Sequence, residues 1–314
     1  MRFDKEALGC GLTLYSQLEN SKAELVFTAY IMETEDNQTV SGKERKVEFC
    51  VLDREDREVV LISIPAQQVC TVRSLLIYPH LWQSVEDPYL YRVRALLLDG
   101  EEILDEVTAY HAFRAMDRET WDGFRLNEKP FHLKGIRYEA DALKQETGGD
   151  QLKTDLKLIR ELGANTVCLS GSLDWPDFYQ ICEELGLLIW YDGEKNGSAE
   201  IPLFAGKEEY ALLTEDHLRR RDMFFYYKAC WTQDPFVYLC GHARSYEGER
   251  LATVQVYSNQ KKIALYVDGV LFEIKESSPC FIYDNVPLEK AQTIISAQAG
   301  DCYMAITIKK SQRM

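Results

Sequence analysis

The sequence predicts a multidomain β plus α/β protein, in which two antiparallel β-sandwiches flank a short parallel α/β segment. Three observations lead to this fold class. Short strand patterns recur at intervals of roughly ten residues up to residue 118, strand and helix patterns alternate from 119 to 192, and short strands return after a connection that ends at 222. The predicted domains are therefore 1–118, 119–222 and 223–314.

The first domain is predicted from alternating apolar residues and turn residues. Asp99-Gly100 separates two apolar runs and suits a tight hairpin, because glycine accepts a positive φ without a steric penalty. The predicted strands are Leu25–Ile31, Lys46–Leu52, Val59–Ile64, Val69–Ile77, Tyr89–Leu98 and Glu102–Phe113.

The middle segment changes to a strand, helix, strand, helix, strand pattern, which predicts parallel pairing with right-handed crossovers. The first helix has Asp150 as its predicted N-cap and Gly163 as its stop, and the second opens at Pro176 and ends at Gly186. The three predicted strands are Phe131–Ile136, Asn165–Ser170 and Leu187–Tyr191.

The remaining segments are a connection and a second sandwich. Residues 193–222 are rich in Gly, Glu and Lys, with one short helix predicted at Glu208–Arg220. Short strands follow, including a hairpin from Tyr266 to Leu271 around Asp268-Gly269.

Composition excludes several classes of function. The 314 residues carry a formal net charge of -15, so the averaged field repels phosphate backbones and anionic lipids, and neither nucleic acid nor membrane is an expected partner. No signal-peptide pattern opens the sequence, which predicts a cytoplasmic protein. Nine scattered cysteines and five dispersed histidines predict reduced, mostly buried thiols, no metal and no cofactor.

Several ordered motifs resemble those of glycoside hydrolase family 2, the β-galactosidase and β-glucuronidase family. They are Trp121-Asp122-Gly123-Phe124, Leu133-Lys134-Gly135-Ile136, Leu162-Gly163-Ala164-Asn165, Leu187-Leu188-Ile189-Trp190-Tyr191-Asp192, and upstream Pro79-His80-Leu81-Trp82 with Asp87-Pro88-Tyr89-Leu90-Tyr91. The resemblance implies immunoglobulin-like sandwiches flanking a truncated (β/α) barrel of about three parallel strands. It leaves the family's amino-terminal jelly-roll domain and most of its catalytic barrel without a counterpart.

The resemblance leaves catalysis unassigned. Retaining glycosidases need two carboxyl groups about 5 Å apart, and the family places its two glutamates after barrel strands four and seven. Such a barrel takes about 250 residues, and the segment 131–222 is less than half of that. No catalytic residue is identifiable, and whether the chain is an enzyme stays open.

Other carboxylates follow the predicted strands at the end where barrel enzymes place their active groups. Glu139 and Asp141 follow the first strand, Asp174 the second, and Asp192 and Glu194 the third; the alternative is that all five are solvated loop acids.

Aromatic residues supply the remaining candidates for sugar contact. Trp190 and Tyr138 are candidates for stacking on sugar rings. His132 and Lys134 are interpreted as structural, and an aromatic cluster is interpreted as buried packing: Phe224, Phe225, Tyr226, Tyr227 and Trp231.

A three-stranded parallel sheet would leave one face and one edge uncovered, although parallel sheets are normally buried on both sides. The prediction is that the 193–222 connection folds back over it together with a homodimer partner.

The leading functional hypothesis is a relative of family 2 β-galactosidases that is non-hydrolytic as a single chain, with residual carbohydrate binding or an assembly role. One alternative is an active glycosidase with a rebuilt or intersubunit site. Another is one subunit of a split glycosidase with a companion chain.

Overall fold

The computed structural model describes residues 1–7, 10–33, 45–117, 123–139, 149–170, 176–191, 201–202, 212–214, 219–241, 250–277 and 279–309. The chain divides into two compact units. The first comprises Met1–Leu133 and Asp174–Leu188, and the second comprises Lys134–Leu173 and Ile189–Met314. The three-domain division remains a prediction beside this one.

The helices and strands are numbered in chain order. The helices are α1 (Gly149–Glu161), α2 (Pro176–Leu185) and α3 (Asp222–Trp231). The strands up to residue 130 are β1 (Arg2–Phe3), β2 (Leu12–Glu19), β3 (Lys22–Met32), β4 (Arg45–Leu52), β5 (Glu58–Pro65), β6 (Val69–Ile77), β7 (Tyr91–Asp99), β8 (Glu102–His111), β9 (Met116–Asp117), β10 (Arg125–Leu126) and β11 (Lys129–Pro130). The later strands are β12 (Gly135–Glu139), β13 (Thr166–Ser170), β14 (Leu188–Tyr191), β15 (Ile201–Pro202), β16 (Val237–Leu239), β17 (Leu251–Ser258), β18 (Lys262–Val267), β19 (Val270–Glu276), β20 (Cys280–Pro287), β21 (Gln292–Ala299) and β22 (Cys302–Lys309).

The first unit is built on a sandwich of two antiparallel sheets. One sheet has the order β1-β3-β2 with β6 paired to β3, and the other has the order β5-β4-β7-β8. Alternate residues of the strands point inward, and the rings of Phe27 and Phe49 meet at 5.3 Å in the resulting core. The hairpin predicted at Asp99-Gly100 is confirmed, because Asp99 pairs with Glu102 and Gly100 has φ +65°.

The first strand of the α/β segment was predicted four residues too early. Residues 125–130 instead form the small hairpin β10–β11, and Phe131 packs edge-on against Phe124 with ring centroids 5.9 Å apart. The parallel strand therefore begins at Gly135. Phe131 and Phe124 pack against a small hydrophobic core that contains Trp82.

The second unit contains an open, four-stranded sheet in the described part of the chain, with the order β14-β13-β12-β15. Strand β12 pairs in parallel with β13 and with β15. Part of the connection thus returns to the sheet and adds a strand beside β12, at the edge opposite to β14. The predicted covering of the sheet face by the connection remains a prediction. A homodimer partner remains a prediction.

The helix signals of the sequence are mostly confirmed. Helix α1 ends before Gly163, which has φ +89°, and α2 ends before Gly186, which has φ +78°. Asp150 lies in the first turn of α1 rather than at its N-cap, because the helix begins one residue earlier at Gly149. The helix predicted at Glu208–Arg220 is wrong where the chain is described, since Leu213 and Arg220 form an antiparallel bridge.

A second sandwich completes the second unit, with sheets of order β16-β17-β20 and β19-β18-β21-β22. The predicted hairpin at Asp268-Gly269 joins β18 to β19, with φ +49° and +81° at its two turn residues. Both positive values match the turn that suits a two-residue hairpin. Among the described residues, no helix is long and apolar enough to cross a bilayer.

Candidate functional site

The candidate site from the sequence lies where the strands of the parallel sheet end. Glu139 is the last residue of β12 and is in register with Ser170, the last residue of β13. The two parallel strands therefore end side by side, at the carboxyl-terminal end of the sheet. The other carboxylates proposed for this end, Asp141, Asp174, Asp192 and Glu194, lie outside the described residues.

The two aromatic candidates differ in their surroundings. Tyr138 is 2% exposed, and its hydroxyl donates a hydrogen bond to Asp155 Oδ2 at 3.1 Å. Its ring therefore lies in the interior and presents no face to a sugar. Trp190 is half-buried on β14. Its role in stacking remains a prediction.

A buried carboxylate was missed by the sequence reasoning. Asp155 of α1 is 0% exposed and accepts a second hydrogen bond from Gln151 Nε2 at 2.9 Å. These bonds replace the water lost on burial. The signal that could have found it is its place on the apolar face, between Leu152 and Leu156 of the same helix.

The interpretation of Lys134 as structural is confirmed by its contact with α3, and that of His132 stays a prediction. Lys134 Nζ donates a hydrogen bond to the carbonyl oxygen of Trp231 at 2.8 Å, at the end of α3. This bond supplies a hydrogen-bond donor to a carbonyl group at the helix end that has no donor within the helix. The Lys134 side chain thus fixes α3 within the second unit.

The aromatic cluster of α3 is packed, with one of its five rings buried and the other four half-buried. Phe224 is buried, and the ring of Phe225 stacks on that of Tyr238 with centroids 3.6 Å apart. The Tyr238 hydroxyl donates a hydrogen bond to Asp222 Oδ1 at 2.8 Å. Burial, and then this bond to Asp222, raise the pKa of Tyr238, so its hydroxyl stays a donor at neutral pH.

The upstream motif is also a structural anchor, and it lies wholly within the first unit. Trp82 is fully buried, and its indole Nε1 donates a hydrogen bond to the carbonyl oxygen of Glu183 at 3.0 Å. Ser84 Oγ donates to the carbonyl oxygen of Gly186 at 2.7 Å. The end of α2 is thereby held by residues 82–84.

All nine cysteines are described, and none of them forms a disulfide bond. Five are buried, and burial raises the pKa of Cys182 far above its ordinary value. Because the thiolate is the form that acts as nucleophile and metal ligand, a thiol with such a raised pKa is unreactive in both roles. Among the described residues, no group of His, Cys, Asp and Glu is arranged to hold a metal ion.

The described residues form two β-sandwiches and an α/β sheet. Residues 11–114 match the family model described as glycosyl hydrolases family 2. The resemblance noted in the sequence is confirmed for this part of the chain, which is similar to glycoside hydrolase family 2.

Curated relatives match part of the chain. A putative β-glucuronidase of Formosa agariphila is 34% identical over 113 residues, which are 35% of this chain and 11% of that protein. A β-glucuronidase of Bacteroides fragilis is 32% identical over 138 residues, 42% of this chain and 18% of that protein. The chain thus spans a small share of these relatives' length.

Solved structures share the fold over nearly the whole chain. The FMN-binding β-glucuronidase of Facaelibacterium prausnitzii superposes with a TM-score of 0.80 at 16% identity, covering 99% of this chain and 75% of that one. A putative β-galactosidase of Bacteroides fragilis gives a TM-score of 0.75 at 16% identity, covering 99% and 74%. At these identities the likeness concerns the fold alone.

Proposed function

We propose that this chain is a non-hydrolytic relative of the family 2 glycosidases, which binds carbohydrate without cleaving it. The observation that carries the proposal is the order of the parallel sheet. In a closed barrel each strand lies between its neighbours in sequence, so the fourth strand would pair with the third. Here the fourth, β15, pairs with the first, β12.

That position is the one that the eighth strand takes when a barrel closes on its first strand. The sheet therefore has the order of a barrel from which the intermediate strands are missing. This supports the proposal of a truncated barrel fragment, with Glu139 at its active-site edge.

The length of the connection agrees with that interpretation. Each strand-and-helix unit of such a barrel takes roughly 30 residues. Residues 192–221, which join β14 to α3, provide room for about one unit and not for five. Strands four and seven, which carry the family's two glutamates, have no place in this segment.

A retaining mechanism needs both carboxylates on the two sides of one glycosidic bond. A chain that lacks both strands cannot hold the pair, and Glu139 by itself supplies a single carboxylate. Loss of hydrolysis does not require loss of the sandwiches, because the sandwiches fold around their own cores.

The direct test is turnover of nitrophenyl β-galactoside and β-glucuronide by the purified full chain. We expect release of nitrophenol at the rate of buffer alone. Glu139→Gln is the matched variant, and it should behave as the unmodified chain. Turnover that Glu139→Gln abolishes would contradict the proposal and favour a rebuilt site.

A further inference from the structure

A small pocket lies at one end of the first sandwich. Its volume is about 240 Å³. Two hairpin turns form part of its rim, Asn20-Ser21 between β2 and β3 and Asn127-Glu128 between β10 and β11, and Tyr78 stands beside them just after β6. All of these residues belong to the first unit.

Tyr78 is held in an unfavourable backbone conformation. Its φ is +55°, a region that bulky side chains rarely adopt, and its N–H donates a hydrogen bond to the carbonyl oxygen of Ser21 at 2.8 Å. The side chain is 80% exposed, so burial of the ring does not compensate for the strain. Strain that persists at the rim of a pocket indicates a functional constraint.

The pocket is rigid on the opposite side. The Asn127 side chain accepts a hydrogen bond from the Ala115 N–H at 2.9 Å and donates one to the carbonyl oxygen of Trp82 at 2.8 Å. The second hairpin turn is therefore tied to the buried Trp82. A ligand would meet a preformed cavity and would spend little free energy on ordering it.

The polar side chains that line the pocket with Tyr78 are available to a ligand. Glu19, Asn20, Ser21 and Glu128 are exposed, and within the described part of the chain none of their side chains forms a hydrogen bond or an ion pair. Half-buried Pro79 and Leu81 supply apolar surface next to them. An apolar surface with a few converging polar groups is the usual composition of a small-ligand site.

We infer that this pocket binds one neutral hexopyranose ring, stacked on Tyr78, with its hydroxyls donating to Glu19 and Glu128. A pyranose has an apolar face of C–H groups and a rim of hydroxyl donors, which matches an exposed aromatic ring beside carboxylates. The pocket is smaller than the roughly 300–1,000 Å³ that drug-sized ligands occupy, so it accommodates a single ring.

The charge of the site selects among sugars. Two carboxylates in a chain of net charge -15 repel a uronate or a sugar phosphate, and they accept hydrogen bonds from neutral sugars. The inference rests on the proposed carbohydrate-binding role and extends it to a named site and ligand class. Its outcome does not depend on whether hydrolysis is lost.

The test is saturation-transfer NMR on the full chain with methyl β-galactoside, methyl β-glucoside and methyl β-glucuronide. We expect transfer to at least one neutral glycoside and at least tenfold less to the glucuronide. The bound ring could belong to a free monosaccharide or to the end of a glycan chain. A β-galactosyl oligosaccharide distinguishes these two sources, since transfer confined to its terminal sugar identifies a glycan end. Equal transfer to all sugars, or none to the neutral ones, would overturn the inference.

Variants separate binding from folding. Tyr78→Gly should keep the fold, because glycine adopts φ +55° without strain, and should reduce transfer at least tenfold. Tyr15→Ala is the matched control, since Tyr15 is 65% exposed on β2 of the same sandwich and does not line the pocket. Unchanged binding in a folded Tyr78→Gly chain would contradict the site.

The two proposals fail in distinguishable ways. Nitrophenol release together with Tyr78-dependent binding would contradict the non-hydrolytic role and leave this site intact. Absence of both turnover and glycoside binding would contradict the site and the binding role, and would leave the loss of hydrolysis standing.

Discussion

The indole nitrogen of Trp82 donates a hydrogen bond to the backbone carbonyl oxygen of Glu183, 101 residues further along the chain, at 3.0 Å. The Arg114 guanidinium lies 4.8 Å from the centre of the indole ring and forms an ion pair of 2.7 Å with the Glu183 carboxylate. A motif that resembles a glycosidase signature thus serves to hold the end of α2 on the first sandwich. The presence of this motif supports common ancestry with glycosidases and does not indicate catalysis.

Replacing Trp82 by phenylalanine should lower the free energy of unfolding of the first unit by about 2–3 kcal/mol. The variant loses part of a fully buried side chain and leaves the Glu183 carbonyl without its donor. Urea denaturation followed by circular dichroism measures the change. Trp231→Phe is the control, because Trp231 is half-buried and its indole nitrogen makes no hydrogen bond to a described residue; an equal loss in both variants would contradict the anchor.

Gly186 should tolerate no side chain. Its φ is +78°, and a Cβ there would overlap the carbonyl of Ser84 and lie 2.6 Å from Val85 N. We expect Gly186→Ala to cost more than about 3 kcal/mol, or to prevent folding of the first unit. Gly269→Ala is the control, since its φ is +81° with open space around it, and it should cost only about 1 kcal/mol. Similar melting temperatures for the two variants would show that the Ser84 contact is unimportant.

The first sandwich should lose stability in mild acid through His111. Burial, and then the charge of Arg114, lower the pKa of His111 from 6.5 to about 4, and Ser16 Oγ lies 2.7 Å from its Nε2. Between these two pH values the unfolded chain binds a proton that the folded chain does not, so stability falls as pH drops from about 6.5 to about 4. The loss between pH 7 and pH 5 should be at most about 2 kcal/mol.

Among the described residues, His111 is the group whose shifted pKa falls in this pH range. The carboxyl groups of Asp53, Asp87 and Asp105 have pKa values lowered from 3.8. Their contribution to folding stability is therefore lost only at pH values below the range in which His111 acts. Urea midpoints at pH 7 and pH 5 measure the slope, which should flatten in His111→Gln. An unchanged slope in that variant would exclude His111 as its source.

The buried carboxylate of α1 should matter far more than an exposed one on the same helix. Asp155→Ala leaves Tyr138 and Gln151 without their acceptor and should cost about 2–4 kcal/mol. Asp150→Ala changes an exposed residue of the first turn and should cost about 0.5 kcal/mol. Thermal melts of the two variants distinguish them, and equal costs would show that the buried network contributes nothing.

Local chemistry explains what could be predicted from the sequence. The hairpins at Asp99-Gly100 and Asp268-Gly269 and the helix ends at Gly163 and Gly186 each depend on a positive φ that glycine accepts. These signals lie within a few residues of the structure that they determine. They were therefore visible without knowledge of the tertiary fold.

Contacts distant in sequence explain what was missed. The strand at Gly135–Glu139 begins late because Phe131 packs with Phe124 in the core around Trp82. The return of Ile201–Pro202 to β12 depends on which sheet edge is unoccupied. The interior position of Tyr138 depends on its partner Asp155. None of these relationships leaves a periodic pattern in the chain.

A chain without a nucleophile and acid/base pair, as proposed here, should resist covalent trapping by reagents that label the nucleophile of retaining glycosidases. One β-glucuronidase of Bacteroides uniformis has been solved covalently bound to cyclophellitol-6-carboxylate aziridine. Intact-mass spectrometry of this chain after incubation with that compound, and with its galactose-configured counterpart, should show only the unmodified mass. A single stoichiometric adduct mapped to a carboxylate, abolished by replacing that carboxylate with its amide, would show that the chain retains a catalytic nucleophile and would rule out the non-hydrolytic role.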